Sequence, residues 1–111
     1  MLSRLDVGME ITIRYFDGCP NWQVARQRVT QTLEAIPVEE RPSVKLERVE
    51  TAEEAERLGF RGSPTVLIDG RDPFADDSAP VGLSCRVYRT ESGFEGSPSL
   101  DQLYEVLNTD A

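Results

Sequence analysis

Cys19 stands in the run Tyr15-Phe16-Asp17-Gly18-Cys19-Pro20-Asn21-Trp22. That run joins an apolar, strand-like stretch to a helix-like one. A thiol at such a junction meets the unpaired N–H groups and macrodipole of a helix start, which favour its anion. The thiolate is the form of cysteine that attacks disulfides and binds soft metals. Asp17 opposes this activation by like-charge repulsion. Three residues after Cys19, where a two-cysteine redox motif carries its second thiol, the chain has Trp22. The other cysteine, Cys85, is far away in sequence.

Other chemistries are excluded by what the chain lacks. It contains no histidine, so Ser-His-Asp and Cys-His nucleophiles cannot be built. Two cysteines without histidine cannot complete a four-ligand Cys/His zinc set. Asp69, Asp72, Asp76 and Asp77 supply oxygens, but not at EF-hand spacing, and read as a solvated acidic loop. Neither a metal nor a cofactor is expected. A net charge of −8 argues against nucleic acid and anionic membrane as partners. All basic residues but Lys45 are arginine, read as the compositional bias of a GC-rich bacterial genome.

The elements that must position Cys19 follow from periodicity. At 111 residues the chain fits one domain, 1–111, with an ordered core over about 9–107 and a short arm over 1–8. Ile11, Ile13 and Tyr15 alternate, predicting a strand over 9–16. Pro20 suits the first helical position, and Trp22, Ala25, Val29, Leu33 and Ile36 form one helical stripe over 21–36. Trp22, heading that stripe, reads as core for much of its ring. Val44 and Leu46 mark a second strand, 43–50. Thr51 and Glu54 predict a capped helix over 52–58 ending at Gly59. Pro64 precedes a third strand, 65–69. Residues 71–84 read as a long loop needing an ordering or functional reason, and Phe74 is its candidate anchor. Residues 85–90 read as a fourth strand, with Arg86 and Tyr88 opposite Cys85 and Val87. A Gly-rich loop over 91–98 and a helix over 100–107 complete the chain. No stretch reaches the roughly 18 apolar residues of a membrane span, and the N-terminus lacks a signal-peptide core. A soluble cytoplasmic protein with both thiols reduced at rest is therefore expected.

This β-α-β-α-β-β-α order, with Gly18-Cys19-Pro20 at the first strand–helix junction and Phe60-Arg61-Gly62-Ser63-Pro64-Thr65 before the third strand, resembles the thioredoxin superfamily. The resemblance covers about 9–107. It implies an α/β fold with a four-stranded mixed sheet and helices on its faces. It also implies a cis-Pro64 facing Cys19, and a substrate groove shaped by Pro20, Trp22, Ser63, Pro64 and Thr65, with Ser63 offering its backbone to an extended peptide. Two features depart from the family pattern. Cys-x-x-Cys becomes Cys19-Pro20-Asn21-Trp22, and the usual tight hairpin becomes the 71–84 loop.

Three functions fit these residues. In the first, Cys19 acts as a monothiol catalytic nucleophile, exchanging disulfides with a low-molecular-weight thiol or a protein thiol, in the manner of a thiol-disulfide oxidoreductase. In the second, the fold is a non-catalytic binding scaffold. In the third, Cys19 and Cys85 capture a soft metal or organometal. Cys85 is a second thiol only if it reaches Cys19. In an antiparallel hairpin with 65–69 it falls at the far end of the sheet, about 15 Å away at ~3.3 Å per residue, unless the 71–84 loop resets the register or brings Cys85 back. A buried strand cysteine is then the expectation for Cys85. Oligomeric state is not legible.

Overall fold

The computed structural model describes residues 9–110; the arm expected over 1–8 lies outside them. Helices and strands alternate as β1 (Glu10–Tyr15), α1 (Asn21–Leu33), a 3-10 turn (Val38–Glu40), β2 (Ser43–Arg48), α2 (Ala52–Leu58), β3 (Thr65–Ile68), β4 (Tyr88–Thr90), β5 (Gly93–Glu95) and α3 (Leu100–Asp110). The fold is α/β, with a three-stranded mixed sheet in the order β2-β1-β3 and a separate β4-β5 hairpin. β1 pairs in parallel with β2 and antiparallel with β3, with Ile13 opposite Leu46 on one side and Val66 on the other.

The period-two residues of β1 build the core. Ile11 and Ile13 join Val66 and Ile68 of β3, Val29 and Leu33 of α1, and Leu103 and Leu107 of α3. Each such fully buried side chain contributes roughly 1.5–3 kcal/mol. A second cluster of Val49, Ala55 and Phe60 is joined by Phe16, Leu58 and Val81. α2 matches its sequence signals. The Thr51 hydroxyl accepts the Glu54 N–H at 3.0 Å, and Gly59 closes the helix at φ 65°, where its missing Cβ avoids strain.

The structure corrects several expectations. α1 ends at Leu33, three residues before Ile36 and ahead of Pro37. Pro20 is the N-cap and not the first helical residue. β2 ends at Arg48, two residues before the expected end, and Val44 and Leu46 lie exposed on it because neither face of this edge strand is covered. Residues 93–95 form a strand where a loop was expected, since Gly93 at φ 111° lets the chain reverse after Thr90.

The largest correction concerns the fourth strand. Residues 85–90 do not run antiparallel beside β3. Asp69 and Gly70 turn the chain with positive φ, and the loop then travels back to the start of β3. There Cys85 lies against Ser63 in an isolated parallel bridge, and regular strand begins only at Tyr88.

Candidate functional site

That return of the loop brings the two cysteines together. Cys19 and Cys85 form a disulfide with Cα atoms 5.6 Å apart, within the ordinary range for such a bond. The far-end placement expected for Cys85 is overturned. The expectation failed because it assumed hairpin register, which a long loop does not impose.

Burial divides the pair unequally. Cys19 is 0% exposed, whereas Cys85 is exposed, contrary to the expected buried strand cysteine. The alternation of this segment nevertheless holds, with Arg86, Tyr88 and Thr90 inward and Cys85, Val87 and Arg89 outward. Cys19 follows β1 through a turn in which its N–H donates to the Phe16 carbonyl at 3.2 Å. Its sulfur lies 3.6 Å from the Ser63 carbonyl oxygen. The disulfide has no S–H to donate, so this contact becomes a hydrogen bond only when Cys19 is reduced. No side chain caps the start of α1.

Ser63 connects the two sides. Its N–H donates to the Ser84 carbonyl at 2.7 Å, and its carbonyl accepts the Arg86 N–H at 2.9 Å. Its hydroxyl accepts the Phe16 N–H at 3.2 Å. The Ser63–Pro64 peptide bond is cis, as the resemblance implied. The Ser63 backbone, however, is already paired with 84–86 and is not open to an incoming chain. The Thr65 hydroxyl donates to the Gly62 carbonyl at 2.7 Å, and the Tyr88 hydroxyl donates to the Pro64 carbonyl at 2.5 Å. Burial pushes the Tyr88 phenol well above its ordinary value, so it remains the donor in this bond.

Arg86 is the residue that sequence reasoning missed. Its side chain is 4% exposed and pairs with Asp72 at 2.6 Å. It also donates to the Phe74 carbonyl, approaches the Thr65 hydroxyl at 3.5 Å, and lies 4.6 Å from the centre of the Tyr88 ring. Phe74 meets Tyr88 edge-on at 5.6 Å and packs against the main core, as its expected anchoring role requires. Gly62 permits this approach: a Cβ there would stand 2.9 Å from Arg86 Cβ, at φ 119°. An inward arginine two residues before an inward tyrosine was the available signal, with Asp72 as its counter-charge.

The remaining expected site residues are placed differently. Trp22 is half-buried and stacks on Tyr15 with ring centroids 4.2 Å apart, outside both buried clusters. Asp17 does not face Cys19 as an isolated charge, since Arg48 bridges it at 3.0 Å and Glu50 at 3.1 Å. Those three residues line a cleft of about 260 Å³ with Phe16, Val49 and Leu83. A hollow of about 640 Å³ along α1 is lined by Trp22, Arg26 and Glu34 among others and contains neither cysteine. The acidic loop is partly consumed by structure: Asp72 holds Arg86, and Asp69 accepts the Glu10 N–H at 2.9 Å. No metal-ligating cluster occurs among the described residues, and none of their helices is long and apolar enough to cross a membrane.

Chemically, the site is a pair of sulfurs that can be joined or separated by a two-electron step, set beside a cis-proline. Comparison with protein-family models, curated proteins and solved structures gives no match.

Proposed function

We propose that this protein is a thioredoxin-like thiol-disulfide exchange protein in which Cys19 and Cys85 cycle between disulfide and dithiol. The observation that carries the reading is the Cys19–Cys85 bond beside the cis Ser63–Pro64 peptide. The parallel β1-β2 pair followed by antiparallel β3 supports the family assignment. The monothiol scheme gives way to a dithiol one, because the loop supplies the thiol that Trp22 displaces from the motif. In the oxidising direction, the dithiol reduces a partner disulfide to two thiols and becomes the internal disulfide. The reverse uses two external thiols, from a low-molecular-weight or protein source.

A redox titration in glutathione buffers, read by alkylation and mass, tests this. A midpoint within about −270 to −120 mV, the span of dedicated exchange proteins, supports turnover. A midpoint below about −300 mV, resistant to the glutathione pool, overturns it.

That second result defines the rival reading, a scaffold held by a structural bond. It draws on the burial of Cys19 and on the sequence separation of 66 residues. By chain entropy, closing such a loop stabilises the fold by about 4 kcal/mol. Soft-metal capture applies only to the reduced protein, because bonded sulfurs are not free ligands.

A further inference from the structure

Resting on the exchange reading, we infer that the bond is opened at Cys85, with Cys19 as the buried leaving and resolving thiol. Thiol-disulfide exchange requires the attacking sulfur to approach in line, behind the sulfur it joins, and access decides which of two sulfurs is taken. Behind Cys19 lies protein, since the residue is 0% exposed. Cys85 is open to solvent. Its backbone is open too. Ser63 takes its two bonds from the Ser84 carbonyl and the Arg86 N–H, so the N–H and carbonyl of Cys85 point to the opposite edge. The outward residues two positions away on either side, Leu83 and Val87, are also exposed, at 38% and 63%.

The step balances without another reagent. An external thiolate bonds to Cys85 Sγ, and the Cys19–Cys85 bond breaks with its electron pair passing to Cys19. Cys19 then takes up, through solvent, the proton lost when the external thiol ionised, and its S–H can hydrogen-bond to the Ser63 carbonyl, 3.6 Å away. A second thiolate attacks the outer sulfur of the mixed disulfide and releases Cys85. Arg86, clamped by Asp72 and Phe74, anchors the segment next to Cys85. It keeps Cys85 beside Cys19 after the bond opens, so Cys19 can also attack the mixed disulfide and restore the starting bond. This polarity is the opposite of that expected from the motif, which makes Cys19 the nucleophile.

The test uses the oxidised full chain, exposed briefly to glutathione in one arm and to a short extended cysteine peptide in the other. Acid quenching, alkylation and peptide mapping then locate the adduct. Both thiols are expected on Cys85, with Cys19 alkylated, and their relative rates identify which source the site prefers. As a second measurement, Cys19→Ser leaves Cys85 and Cys85→Ser leaves Cys19. The first is expected to react with a disulfide reagent about 100-fold faster under native conditions, because a buried thiol must await local opening, and equally fast in denaturant. Adducts on Cys19 overturn this assignment and leave the exchange reading intact. A disulfide untouched by either thiol in the folded protein overturns both.

Discussion

The segment that carries Cys19 and the segment that carries Cys85 are anchored by different forces. Cys19 ends a strand whose Ile11 and Ile13 are buried in the main core, and Phe16 beside it joins the second cluster. Its position is fixed by apolar burial, which is non-directional and tolerant of small changes in shape. Cys85 lies on a segment held largely by directional contacts: the Ser63 backbone bonds, the Tyr88–Pro64 hydrogen bond and the buried Arg86 guanidinium with its partners. Removing one member of such a buried pair leaves an uncompensated charge or an unpaired acceptor. The first anchor suits a sulfur that stays buried, and the second gives an exposed sulfur a defined place.

The contrast is most easily broken at Arg86. Arg86→Met takes the ion pair from Asp72, which is 23% exposed and keeps the Phe74 N–H, and strands the Phe74 carbonyl; the oxidised protein is expected to lose about 3 kcal/mol in urea unfolding. A loss below about 1 kcal/mol would mean that apolar packing holds both segments. Gly62→Ala is next. It puts a Cβ 2.9 Å from Arg86 at a positive φ, and a cost of order 1–3 kcal/mol is expected, accompanied by more reducible sulfurs in a glutathione titration. On the apolar side, Ile13→Val should cost only about 0.5–1.5 kcal/mol, leaving the disulfide midpoint unchanged; a shifted midpoint would show the two anchors to be coupled.

The smallest effect is a pH dependence that spans both segments. Glu95 follows the Cys85 side, accepting the Thr90 hydroxyl at 2.9 Å, and pairs with Arg28 of α1 at 3.1 Å. The Thr90 hydrogen bond first, then Arg28, hold its carboxyl below the ordinary 4.5. A lowered folded value means stability that is full above 4.5 and lost as pH falls through the folded value. Wild type and Glu95→Gln should therefore differ most near neutrality and converge in acid. Thermal melts across that range check the sign, and a gap that widens in acid would refute it.

Much of the framework was legible because it depends on short-range patterns. The Ile11-Ile13 alternation, the Thr51 cap and the Gly59 stop are local signals, and each element formed where its signal lay. Pro64 was legible as cis only through resemblance. The candidate site was half-legible. Cys19 could be placed at a strand–helix junction from its neighbours alone. Its union with Cys85 could not, because the path of residues 71–84 is set by contacts such as Arg86 with Asp72, which no periodicity encodes. The same path removed the expected pairing of 85–90 with β3 and left the sheet with three strands. Trp22 misled for a related reason: its place on the helical stripe suggested core, but at the first turn it found Tyr15 first.

The position of the 71–84 loop has a consequence in covalent topology. The loop lies between the two cysteines, so a single cut at its exposed stretch 75–78 would divide the polypeptide and leave its two pieces covalently tied only through sulfur. In a denaturing gel, nicked protein should migrate as one species without reductant and as two with it. The same nick would relieve the closed ring between Cys19 and Cys85, turning the bond from a constraint on one chain into a link between two.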